Sequence, residues 1–245
     1  MKRLLLLLAS IAAVAPGFGA ITVVQTQNGA CTTSNGSFTT VPQSGSCGFS
    51  ASVTAGNVVV LIIETRQNTP AISSLTTAGK VSTYNSAYSL TSGGAVGIFF
   101  YCGAVTTTGT ETVVANVSQI YFGHLFMLEA SGTNGCTADG TATGSSSLSP
   151  GSITVSVGSL VINGLYDNTT NSDLVLTAGW TTIGLNNNGG VYRSGAAQYI
   201  KAVTTSYNPA STGSTDTTVN GIIAIQAAAG TTCKGGLALT GTACK

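Results

Sequence analysis

After Ala15, no stretch of this chain carries apolar residues at i, i+3, i+4 and i+7, so an amphipathic helix has nowhere to form. β-Branched residues and glycine depress helix propensity along its whole length. What recurs instead is short runs with weak two-residue alternation, bounded by Gly, Asn, Ser or Thr clusters. They lie at Ile21–Gln27, Ser37–Val41, Phe49–Val53, Asn57–Glu64, Ala95–Cys102, Thr110–Val117 and Phe122–Ala130. The second half continues with Ser152–Val157, Ser159–Tyr166, Leu174–Thr177, Trp180–Leu185, Ala196–Thr204 and Thr217–Ala227. Asn57–Glu64 (NVVVLIIE) is apolar almost without a break, and its length and Val/Ile content predict a strand buried on both faces. Many short strands with turns between them predict an all-β fold: a two-sheet antiparallel β-sandwich, jelly-roll-like, forming a single large domain. A barrel is the runner-up. No repeat of fixed period is visible. The Gly/Ser/Thr-rich stretch from Gly132 to Pro150 is expected to be a surface crossover between two β-like halves.

The N-terminus reads as an export signal. Lys2 and Arg3 precede the apolar run Leu4 to Ala15, and the small residues Gly17 and Gly19 close it. The run is shorter than the roughly 20 residues a bilayer requires. We therefore expect a leader over 1–19, a sandwich over 20–229 and a tail over 230–245, on a secreted protein without membrane insertion.

Without Lys2 and Arg3, the 8 basic residues fall to six against 7 acids. That balance offers no basic patch for nucleic acid and none for an anionic membrane. Charged residues make up only 6% of the chain, so Thr, Ser, Asn and Gly must supply its polar surface. Such a surface suits sugar contacts or packed subunit faces. Cys31, Cys47, Cys102, Cys136, Cys233 and Cys244 form an even set, read as disulfides in an oxidising compartment. Sequence neighbours pair as 31–47, 102–136 and 233–244, the last closing the tail. No CxxC pair or Cys/His cluster points to zinc.

Three pieces carry a resemblance: TAGNVVVLIIE (Thr54–Glu64), IFFYCGAVTTTGTETVVANV (Ile98–Val117) and LFMLEASG (Leu125–Gly132). They resemble uncharacterised secreted bacterial β-sandwich proteins, in which a TAGN turn opens a hydrophobic strand and FYxG and ExSG elements follow. The matching positions are Thr54, Ala55, Gly56 and Asn57, then Tyr101, then Glu129, Ser131 and Gly132. Those proteins carry an Asp-containing turn after the first long strand, whereas here TTAGKVSTY (Thr76–Tyr84) has no acid. The resemblance implies fold and secretion and assigns no chemistry.

His124, the only histidine, falls inside a predicted strand and reads as structural. No G-x-S-x-G elbow accompanies it. Glu64 and Glu129 lie near strand ends, where two acids meeting at one edge would suit glycoside hydrolysis; strand-end acids more commonly bond turn amides. The loop Asp167-Asn-Thr-Thr-Asn-Ser-Asp173 is oxygen-rich, so Asp167, Asn171 and Asp173 are candidate calcium ligands, although hairpin turns share that composition. Trp180, Tyr192, Tyr166 and Tyr199, with Asn187 and Arg193 nearby, are the aromatics for a sugar-stacking platform; Trp180 reads equally as a core aromatic. The expected function is non-catalytic binding of carbohydrate or another surface polymer. The alternative is a self-assembling subunit, a homo-oligomer or filament, using the apolar segment Ile21–Gln27 for strand complementation.

Overall fold

A computed structural model describes residues 20–27, 43–66, 72–92, 96–117, 122–145, 149–167, 174–186, 194–212 and 218–229. The proposed leader 1–19 and tail 230–245 lie outside them, as do Ser37–Val41, Cys31, Cys233 and Cys244. The described residues contain strands and turns and no helix.

The strands are β1 (Thr22–Gln27), β2 (Gln43–Gly48), β3 (Val58–Arg66), β4 (Ile72–Thr77), β5 (Asn85–Ser92), β6 (Val96–Ala104), β7 (Thr112–Val117) and β8 (Phe122–Ser131). After them come β9 (Thr133–Ser145), β10 (Ile153–Thr154), β11 (Leu160–Asp167), β12 (Thr181–Asn186), β13 (Ser194–Lys201), β14 (Ser206–Tyr207) and β15 (Thr218–Ala227). The first half builds a five-stranded sheet in the order β1-β8-β3-β6-β5, and the second half builds one in the order β12-β13-β11-β15-β9. Neighbouring strands are antiparallel. The fold is all-β and antiparallel, as expected.

The layering differs from two sheets. The inward residues Val58, Val60, Ile62, Ile98, Phe100, Phe126 and Leu128 meet Leu160, Ile162, Tyr166 and Ile223 in the core between the five-stranded sheets. The opposite face of the first sheet, with Val59, Leu61, Ile63, Leu125 and Met127, is covered by a small sheet ordered β2-β7-β4. The outer face of the second sheet packs Val161, Ile200, Ile222 and Ala224 against β10 and β14. So β3 is buried on both faces, which explains why it reads as an unbroken apolar run. Gly132 to Pro150 is not a crossover. Most of it is β9, an edge strand of the second sheet, whose Gly and Thr content disguised it as a linker.

Matching orders reveal a duplication: β1, β8, β3, β6 and β5 occupy the same places as β9, β15, β11, β13 and β12. Gly56 N donates to Val105 O and Val105 N to Asn57 O; Gly158 N donates to Ala202 O and Ala202 N to Ser159 O. Gly56 and Gly158 adopt φ of 91° and 95°, a conformation glycine enters without steric cost. Continuing along both ladders, Leu61 and Tyr101 are opposed where Asn163 and Gln198 are opposed. Loops of unequal length change the spacing between equivalent residues from strand to strand, which hides the repeat from any fixed-period reading.

The halves lock by knobs in glycine gaps. A Cβ on Gly164 would meet Ile98 and Ile62, one on Gly221 would meet Phe100, and one on Gly195 would meet Glu64 and His124. The Cys102–Cys136 disulfide joins β6 to β9 and so staples the two halves. Cys47 is also disulfide-bonded, to a partner outside the described residues.

Candidate functional site

The acids do structural work. Glu129 is wholly buried; its Oε1 accepts from Thr54 N at 2.8 Å and Asn57 Nδ2 at 2.6 Å, and its Oε2 from Gln25 Nε2 at 2.6 Å. It holds the turn that opens β3. Asp139 holds the equivalent turn, accepting from Ser156 N at 2.5 Å and Ser159 Oγ at 2.6 Å. Glu64 sits opposite His124, whereas Glu129 sits opposite Val59, five residues along β3 and on its other face. At ~3.3 Å per residue they are about 17 Å apart along the strand and cannot meet as a catalytic pair.

Glu64 and His124 lie between the five-stranded sheets, both wholly buried. Glu64 Oε1 accepts from Leu165 N at 3.1 Å, and Asn186 Nδ2 lies 3.2 Å from His124 Nδ1. Burial pushes the Glu64 carboxyl well above the usual carboxylate range and the His124 imidazole down to about 3. The ring of His124 packs against that of Tyr166 at a centroid distance of 5.9 Å. This cluster is closed to solvent and belongs to the core.

Of the sugar platform read from the sequence, the structure describes Tyr166, Tyr199 and Trp180. Tyr166 is a core side chain with no exposed surface, because β11 presents that face to the facing sheet. Tyr199 packs against the same core. Trp180 is half-buried, edge-on to Tyr207 at 6.1 Å. Tyr192, Arg193 and Asn187 lie outside the described residues. Of the calcium candidates, Asp167 is buried at the end of β11, while Asn171 and Asp173 lie outside the described residues. Among the described residues, no group of three His, Cys, Asp or Glu converges on a common point.

An open groove of about 340 Å³ lies instead on the outer side of the first half. β4 forms one wall and Ser82, Thr83 and Tyr84 the other, with Tyr101 of β6 between them. The small sheet ends at β4, so it leaves Tyr101 half-buried. The second wall is held firmly. Val81 is buried and bridges Val105, Lys80 N donates to Glu111 Oε2 at 3.0 Å, and Tyr84 OH donates to Glu111 Oε1 at 3.4 Å. Gly103 has no Cβ, which lets Val81 and Thr83 lie directly on β6. The turn between the walls is capped by Thr77, whose Oγ1 accepts from Gly79 N at 2.9 Å and donates to Val81 O at 3.3 Å.

The lining is hydroxyl and aromatic: Ser73, Ser74, Thr77, Ser82, Thr83 and two tyrosines, with Ile72 and Leu75 and, among the described residues, no charged side chain. Burial, and for Tyr84 the adjacent Glu111 carboxyl as well, raises both phenol pKa values, so neither ionises near neutral pH. Such a lining can exchange hydrogen bonds through its hydroxyls and offer flat aromatic surface to a ligand.

The second half is built differently at the matching position. There Gln198 stands in the place of Tyr101, and Thr177, in the second T-A-G turn, in that of Thr77. Gln198 Nε2 donates to Thr177 Oγ1 at 3.3 Å and to Asn163 Oδ1 at 2.9 Å, and Asn163 Nδ2 donates to Asn220 Oδ1 at 2.6 Å. These bonds link four polar side chains of the second half into one network.

No known protein family, no curated protein and no solved structure matches this chain. Sequence reasoning missed the groove because Tyr84 and Tyr101 sat in segments read as a turn and a strand. The available signal was the hydroxyl-rich run of β4 facing a half-buried tyrosine.

Proposed function

We infer that this chain is a secreted, non-catalytic β-sandwich protein that binds an uncharged carbohydrate or similar surface polymer through the groove between β4 and Tyr84. The observation that carries the reading is a groove lined by hydroxyls and two tyrosines without one charge. Hydroxyl groups shed water at less cost than ions, and they exchange hydrogen bonds readily with sugar hydroxyls. Tyrosine faces offer apolar area for the C–H side of a pyranose and a polar tip at the rim. Disulfides at Cys47 and between Cys102 and Cys136 support an oxidising location. The jelly-roll likeness remains part of this reading only as kinship with secreted β-sandwich proteins.

Retention on a panel of neutral polysaccharides tests it. The oxidised chain should bind at least one polymer, Tyr101→Ala should weaken that binding tenfold or more, and Trp180→Ala should leave it unchanged. Retention by no polymer would overturn the reading.

Self-assembly is the second reading. β1 and β9 each end a sheet, and neither carries Lys or Arg, the usual guard against edge pairing. Ile21–Gln27, however, is largely taken up as β1 of its own sheet, with Ile21 in the core. Light scattering at high concentration tests assembly; a concentration-independent monomer would end it.

A further inference from the structure

We propose that the groove takes a linear, uncharged oligosaccharide lying along β4, and that the edge backbone of β4 shares in holding it. This rests on the binding reading above and names the shape of the ligand. β4 is the last strand of its sheet, paired to β7 and, among the described residues, to nothing on the groove side. Its six residues run about 20 Å at ~3.3 Å per residue, far longer than one sugar ring. An edge strand alternates outward N–H and C=O groups, and sugar hydroxyls both donate and accept. The register shifts between Ile72 and Ser74, a bulge of the kind that bends a strand and re-aims its side chains. Ser73, Ser74 and Thr76 are exposed along this edge, so hydroxyls continue past Tyr101 in both directions.

The duplicated half supplies the contrast. The place of Leu75 is held by Val175, which among the described residues makes a single bridge to Thr212, and Gln198 bonds Thr177 beside it. An extended peptide could also add to β4, but peptide recognition at a sheet edge needs pockets for alternate side chains. This lining offers flat aromatic and hydroxyl surface instead.

The test is a calorimetric titration of the oxidised mature chain with mono-, di-, tetra- and hexasaccharides of the β-1,4 gluco, xylo, manno and N-acetylglucosamine series. At least one series should tighten thirtyfold or more from disaccharide to hexasaccharide. Thr76→Arg places a bulky charge on the exposed edge, at a β4 residue that does not line the groove beside Tyr101. It should reduce hexasaccharide affinity at least tenfold, leave disaccharide affinity within twofold and leave the melting temperature unchanged. Equal affinity for monosaccharide and hexasaccharide, or full hexasaccharide binding by Thr76→Arg, would refute the linear arrangement while keeping the binding reading. Binding of the peptide Thr-Val-Thr-Val-Thr-Val-Thr-Val with no saccharide bound would overturn both.

Discussion

Removing the Glu129 carboxyl tests how the central sheet is held in register. Three donors converge on it: Thr54 N, Asn57 Nδ2 and Gln25 Nε2, at 2.8, 2.6 and 2.6 Å. They come from the turn that opens β3 and from β1, and β3 is the middle strand of its sheet. In Glu129→Ala, Thr54 and Gln25 can turn to water, because one is exposed and the other half-buried. Asn57 cannot, being only 9% exposed. Leaving one buried donor unmet costs about 1–3 kcal/mol, and a net loss of about 1 kcal/mol for each of the two other bonds adds to that. The expected destabilisation is about 3–5 kcal/mol. Glu129→Gln behaves differently: its carbonyl oxygen still accepts from Asn57 and Thr54, and the Gln25 amide can rotate to accept from the new NH₂. About 1 kcal/mol is expected there.

Urea unfolding of the disulfide-intact protein measures both variants, and hydrogen exchange at the Val58 and Val59 amides shows where the loss falls. Protection should drop first at the entry to β3. A Glu129→Ala variant within 1 kcal/mol of the parent, or equal losses in the two variants, would refute this account of the turn.

The remaining expectations concern the core and the staple. His124 has its pKa lowered from 6.5 to about 3, so the folded state refuses a proton that the unfolded chain accepts. Stability is therefore full above pH 6.5 and falls as pH drops toward about 3, and His124→Gln should flatten that limb in pH-dependent urea melts. Glu64 is shifted upward from 4.5, so its contribution is full below that value and is lost as pH rises. Glu64→Gln should accordingly be at least as stable as the parent at pH 8; a large loss there would contradict its placement. Gly221→Leu drives a side chain into Phe100 and Ile98 and should cost about 3 kcal/mol or prevent folding, read by circular dichroism. Cys102→Ser with Cys136→Ser releases a link spanning 34 residues and should cost about 4 kcal/mol on chain-entropy grounds, measured by differential scanning calorimetry.

Strands buried on both faces were legible because their apolar runs leave no other choice: Asn57–Glu64 lies almost entirely on β3, and Ser159–Tyr166 on β11. Edge strands were less so: β1 and β12 coincide with predicted runs, but β4, β5 and β9 do not. β4 (ISSLTT), β5 (NSAYSLTS) and β9 (TNGCTADGTATGS) face solvent over much of their length, and their Ser, Thr and Gly content imitates loops. The TAGN and ExSG pieces were visible as separate short motifs, and the structure supplies their connection, since the glutamate of one holds the threonine and asparagine of the other. Tyr166 was misplaced because alternation alone does not say which sheet face a strand-end aromatic will meet. The groove depends on where one small sheet stops, a long-range fact that no local pattern carries.

Duplication makes each half a control for the other. The frame needs an opposed pair at the Leu61–Tyr101 position in one sheet and is equally satisfied by Asn163–Gln198 in the other. Buried amides are costly without partners, and Gln198 Nε2, Asn163, Asn220 and Thr177 bond to one another, while Gln198 Oε1 finds no partner among the described residues. Tyr101 and the hydroxyls around it make no such closed set; they end at solvent. Replacing Tyr101 by Gln while Thr77 stays in place sets an amide opposite Leu61, where the second half has Asn163 to accept from it. The variant loses an aromatic face of the groove and the packing of Tyr101 on the core beneath, so polysaccharide retention should fall tenfold or more and the melting temperature should drop.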